Sequence, residues 1–145
     1  MSDTGKQFSI QRIFVKDISF ESPATPEIFR LRVEPRVELA FRVEARALGE
    51  DRHEVVLAAT VTARTEERTV FLCEVQQAGV FIARGVEPAD LDELLNVACP
   101  TQLFPFLREL VVDLTVKGGF PPVLIAPVKF EEMYAASRRP AAGQA

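Results

Sequence analysis

Residues 36–64 read RVELAFRVEARALGEDRHEVVLAATVTAR, and the period of that stretch decides the fold. Val37, Leu39, Phe41, Val43 and Ala45 alternate with Glu38, Arg42, Glu44 and Arg46. Successive side chains of an extended chain point to opposite faces, so this pattern gives a strand with one apolar and one charged side. The run breaks at Leu48-Gly49-Glu50-Asp51, whose composition suits a tight turn, and alternation resumes with Val55, Leu57, Ala59, Val61 and Ala63. Two strands joined by so short a connection pair antiparallel.

Working outward, Glu66-Glu67-Arg68 supplies a second turn, and Thr69 to Ile82 is rich enough in β-branched and aromatic residues to form a further strand. On the amino-terminal side, Phe8, Ile10, Phe14, Ile18 and Phe20 occupy even positions and Ser9, Gln11, Asp17, Ser19 and Glu21 odd ones. That alternation predicts a long, half-buried strand, ending at Ser22-Pro23, with a loop around Pro26. After residue 87 the period changes. Pro88 and the acids Asp90, Asp92 and Glu93 open a short helix that Pro100 is expected to terminate. Phe104, Leu107, Val111 and Leu114 then mark one face of a main helix, expected to begin near Phe104 because Pro105 suits only a first turn, and to end at Gly118-Gly119. Three prolines between Phe120 and Pro127 call for an extended crossover, and a last helix should run from Val128 to about Ser137. The whole is an α+β fold: a four-stranded antiparallel sheet with a long helix, a proline-rich crossover and a C-terminal helix on one face. We expect one domain over residues 1–145, with residues 1–7 and 138–145 as disordered tails.

The 145 residues are 48% hydrophobic, and 21 acidic side chains against 17 basic ones leave a net charge of −4. Such a balance argues against nucleic acid as a partner, since it offers no excess of cations to phosphates. The N-terminus lacks a basic segment followed by an apolar run, and no apolar stretch approaches the ~20 residues of a membrane span. A soluble cytoplasmic protein is the expectation, without membrane insertion. Cys73 and Cys99 read as reduced, buried small side chains. Catalytic chemistry finds no support. His53 stands alone beside a turn, neither cysteine has a histidine base in sight, and no metal-ligand spacing occurs. Gly118-Gly119 follows a helix and lacks the lysine of a phosphate loop. Asp17 and Glu21, four apart on a strand, would stand about 13 Å apart, beyond an acid/base pair. A ligand-binding or thioesterase-like α+β domain would need polar groups converging inside the apolar positions, and the sequence places none there.

Several stretches, in order, resemble the SecB family of protein-export chaperones. They are FSIQRIFVKDISFESP at 8–23, FLCEVQQAGVF at 71–81, Cys99-Pro100 with LFPFLRE at 103–109, and GFPPVLIAPVKF at 119–130. The resemblance covers nearly the whole chain. It implies a protein without catalytic activity or cofactor that holds unfolded precursor polypeptides and passes them to the motor SecA. It also implies a homotetramer built as a dimer of dimers. The residues matching the family's acidic SecA-docking patch are Asp17, Glu21, Leu72 and Glu74. Cys73, Val75 and Gln77 match positions associated with tetramer packing, with the core of the single chain as the alternative. For the client groove the candidates are Val37, Leu39, Phe41, Phe104, Phe120, Leu124 and Ile125, each of which, taken singly, reads more readily as core.

Overall fold

The computed structural model describes residues 5–138. Four strands, β1 (Gln7–Glu21), β2 (Arg36–Gly49), β3 (Arg52–Arg64) and β4 (Thr69–Arg84), make one antiparallel sheet in the order β1-β4-β3-β2. The turn between β2 and β3 holds Gly49, Glu50 and Asp51 at positive φ, and it is locked from outside by Asp51, whose carbonyl accepts from the Ala83 amide at 2.9 Å. Thr65 closes the next hairpin: its hydroxyl accepts from the amides of Glu67 and Arg68 at 3.3 Å each.

Helices α1 (Pro88–Glu93), α2 (Cys99–Lys117) and α3 (Phe130–Ser137) follow the sheet, and α2 packs over β3 and β4. Beneath α2 the odd residues of those strands, among them Leu57, Val61, Cys73, Val75 and Phe81, meet Leu103, Leu107 and Val111 in one core cluster. Each buried aliphatic side chain there contributes roughly 1.5–3 kcal/mol by leaving water, which is what fixes the helix on this face.

Several expectations are corrected. Even-position apolar alternation does not run through β1, because the register shifts between Ile10 and Arg12 and again between Val15 and Asp17. Each bulge adds one unpaired residue and reverses the parity. Paired residues share a face, so the helix side of β1 carries Phe8, Ile10, Ile13, Val15, Ile18 and Phe20, and Phe14 lies on the outer side opposite Ala78. Secondly, Pro100 does not end a helix. Leu94–Ala98 forms a π-helical turn that joins α1 to α2, and Cys99 donates its amide to the Leu94 carbonyl five residues back. The wider turn makes room for the proline ring at the start of α2. Thirdly, α2 begins at Cys99 rather than near Phe104, with Pro105 inside it on the exposed side, where the carbonyl it frees can be hydrated. The last helix starts at Phe130, two residues later than expected. Of the expected tails, Gln7 already belongs to β1 and Arg138 follows α3 as an ordered turn, while 1–4 and 139–145 lie outside the described residues.

Candidate functional site

The helix side of the sheet is not fully covered. Between Ser22 and Pro35 the chain leaves β1, makes a 3-10 turn at Glu27–Arg30 and crosses to β2 with Ile28 buried and Phe29, Leu31 and Val33 exposed. On the opposite bank the crossover after α2 runs without regular structure through Phe120–Leu124, and between the two banks lies an open apolar groove of about 800 Å³. Val70 and Phe71 of β4 form its floor, and Val37 and Leu39 of β2 continue one wall. Exposure is high for such side chains: 52% for Phe29, 50% for Leu31 and 76% for Leu124. A run of large apolar side chains left in water marks a binding surface rather than ordinary surface.

A chain of aromatic contacts joins β1, the floor and the two banks at one end of the groove. Phe20 stacks on Phe71 with ring centroids 5.5 Å apart, Phe71 meets Phe120 at 5.1 Å, and Phe120 meets Phe29 at 5.3 Å. Helix α2 ends in a reciprocal backbone motif, in which Phe120 donates to the Thr115 carbonyl and Gly119 to that of Val116, each at 3.0 Å. Gly119 sits at φ 90°, where a side chain would be strained, and an added Cβ would come 3.0 Å from the Phe29 ring. The chain therefore turns sharply from helix into crossover with the two phenylalanines already in contact.

Of the seven groove candidates, Val37, Leu39, Phe120 and Leu124 line this cleft. Phe41, Phe104 and Ile125 do not. Phe41 packs half-buried against the core, Phe104 is buried with its ring edge against Phe130 at 6.2 Å, and Ile125 is buried under the crossover. Sequence reasoning missed Ile28, Phe29, Leu31 and Val33, having assigned them to a loop. The signal was present, since Phe29, Leu31 and Val33 alternate with Arg30 and Arg32 although no partner strand was available for them.

On the outer side of the sheet, Glu21 lies opposite Leu72, Ser19 opposite Glu74 and Asp17 opposite Gln76. Asp17, Glu21, Leu72 and Glu74 thus share one face, with the three carboxylates exposed, unpaired among the described residues, and Leu72 half-buried between them. Next to this patch, Glu54 is nearly covered and accepts from Lys16 Nζ at 2.8 Å and Arg46 Nε at 2.9 Å. The hydrogen bond from Lys16 holds its carboxyl below the usual range against the opposing effect of burial. Lys16 reaches Glu54 because it is the unpaired residue of the second β1 bulge.

Cys73, Val75 and Gln77 are 0%, 1% and 3% exposed in the single chain, on the inner side beneath α2, and the Gln77 side-chain amide donates to the Phe14 carbonyl at 3.0 Å. They are core side chains within this subunit, the alternative that the sequence had left open. Burial pushes the thiols up, to about 11 at Cys73 and about 12 at Cys99, which suppresses the reactive thiolate.

The described residues thus present an apolar groove on one side of an α+β sheet and an exposed acidic patch on the other. The family model described as preprotein translocase subunit SecB matches residues 1–141. Curated proteins named protein-export protein SecB are similar throughout: that of Halorhodospira halophila is 48% identical over 92% of this chain and 78% of its own. That of Nitrosococcus oceani is 50% identical over 89% and 80%, and that of Stutzerimonas stutzeri 44% over 99% and 89%. Among solved structures, a SecB-like chaperone of Mycobacterium tuberculosis, in complex with a peptide from an antitoxin, superposes with a TM-score of 0.69 at 17% identity, covering 83% of this chain and 90% of that one. The chain belongs to the SecB family of protein-export chaperones, and it is not an enzyme. No helix among the described residues is long and apolar enough to cross a membrane.

Proposed function

We propose that the groove holds unfolded precursor polypeptides, without nucleotide, and that the acidic outer patch docks the motor SecA for their delivery to export. The observation that carries this reading is the exposed apolar groove of about 800 Å³. An extended client fits it on two counts. Phe29, Leu31 and Leu124 offer contact to alternate apolar side chains, and β2 is an edge strand with backbone groups free to pair. Selection then needs only an extended apolar segment, which every unfolded precursor displays. On the other face, Asp17, Glu21 and Glu74 flank Leu72, giving a basic partner a long-range attraction and one apolar contact.

Assembly as a homotetramer in the cytoplasm completes the proposal. Phe8, Ile10, Val15 and Ile18 remain exposed on the helix side of the edge strand β1, and α2 leaves Phe106 and Val116 uncovered. These exposed surfaces are available to other subunits. A dimer of dimers would extend the grooves from subunit to subunit, and a client occupying several at once gains effective concentration at each. The test is an arrest assay without nucleotide. The purified protein should stop a slow-folding precursor from refolding and leave a native protein untouched, and failure to retard refolding in molar excess would refute the reading.

A further inference from the structure

Along α2 the residues facing the sheet follow a four-residue stripe, Leu103, Leu107, Val111 and Thr115, all 0% exposed. The first three are aliphatic, as packing requires; the fourth carries a hydroxyl in a place where another aliphatic side chain would bury more apolar surface. That hydroxyl both donates and accepts. Its proton is shared between the Val111 and Val112 carbonyls at 2.9 and 3.1 Å, and it accepts from the Val123 amide of the crossover at 3.2 Å. Its one donor is used and one of its two acceptor lone pairs is filled. A second tether lies two residues on, where Arg108 Nε donates to the Ile125 carbonyl at 3.0 Å and the guanidinium rests over the Phe104 ring at 5.6 Å. Between the two tethers is Leu124, 76% exposed towards the groove, with Ile125 behind it at 1%.

We propose that Thr115 is a positioning residue for client capture, holding the crossover as a preformed lip that presents Leu124 to the groove, with Arg108 securing the far end. This rests on the groove being the client site. A crossover without regular structure would otherwise sample many conformations, and a client would have to order it on binding at a cost in backbone entropy. Proline at 121, 122 and 127 restricts the chain, but it does not choose which side chain turns in and which turns out. The Val123 tether does, because alternation along an extended segment places Leu124 opposite its neighbours once one residue is fixed.

The test compares Thr115→Val, which keeps shape and removes the acceptor, with Thr115→Ser, which keeps the hydroxyl, using an unfolded precursor as the probe. In Thr115→Val the Val123 amide should exchange with solvent at least tenfold faster while amides of β3 keep their protection, and the dissociation constant for the precursor should rise about fivefold, the worth of one neutral hydrogen bond. Thr115→Ser should restore both. Arg108→Met, at an exposed position, should weaken capture about twofold without touching the core, and it keeps the test decisive if Thr115→Val folds poorly. Faster Val123 exchange with unchanged precursor affinity would overturn the proposal, as would equal effects of Val and Ser. A wild-type protein that binds no unfolded precursor would instead refute the groove reading, while the exchange data would still report whether Thr115 orders the lip.

Discussion

Glu54 shows how a single side chain on this sheet can be both buried and charged. Its carboxylate is held by Lys16 and Arg46, whose own side chains are 40% and 68% exposed, so solvent screening weakens the pair interactions and leaves roughly 1 kcal/mol of stabilisation. The folded protein keeps Glu54 ionised to lower pH than the unfolded chain does. Its contribution is therefore complete above the unfolded-state value of about 4.3 and disappears as pH falls through the lower folded value. Glu54→Gln should lower stability by about 1 kcal/mol at pH 7 and make no difference at pH 2, as chemical denaturation at the two pH values would show. Gly118 sets a different constraint, since an added Cβ would lie 2.5 Å from the Phe20 ring. Gly118→Ala should cost about 1–3 kcal/mol by pushing Phe20 out of its stack, measurable as a lower melting temperature. The thiols, with pKa values raised to about 11 and about 12, should resist a maleimide in the native protein and react at once in denaturant.

Strands were easier to read than helices, for a physical reason. In β2 and β3 apolar side chains take one parity and charged or small ones the other, so a period of two is written directly into Val37–Ala45 and Val55–Ala63. In β1 the two bulges are invisible to a fixed period, although Ile13 and Val15 at odd positions were their trace. Prolines misled in the helices because the rule that they stop a helix assumes α-helical hydrogen bonding throughout; the π-helical turn at Leu94–Ala98 removes that assumption. The parity argument for Asp17 and Glu21 survives because both lie beyond the second bulge. On an outer strand face, Asp17→Lys or Glu21→Lys should change stability by less than about 0.5 kcal/mol. Either should abolish SecA docking, read by titration, while precursor capture stays nearly unchanged. Equal loss of both activities would refute the assignment of this face.

At the scale of the molecule, the family, the hairpin pairing of β2, β3 and β4 and one bank of the groove were legible because they follow from residues near in sequence or matching in order. The other bank was not, because Phe29, Leu31 and Val33 face the crossover only after α2 has folded over the sheet, a contact between segments some 90 residues apart. Long-range packing also places Val75 in the core of the subunit, beneath α2. Its effect on assembly would be transmitted through the helix above it. Val75→Ala should cost about 2 kcal/mol and, by loosening the seat of α2, shift tetramers towards dimers in light scattering without loss of the circular dichroism of the folded chain. The central claim is that the open groove holds unfolded polypeptide. It is tested most directly by placing a charge at its most exposed wall, Leu124→Asp, and measuring binding of an unfolded precursor and of SecA side by side. The account predicts precursor binding weakened at least tenfold with SecA docking and thermal stability unchanged; undiminished precursor binding would contradict it.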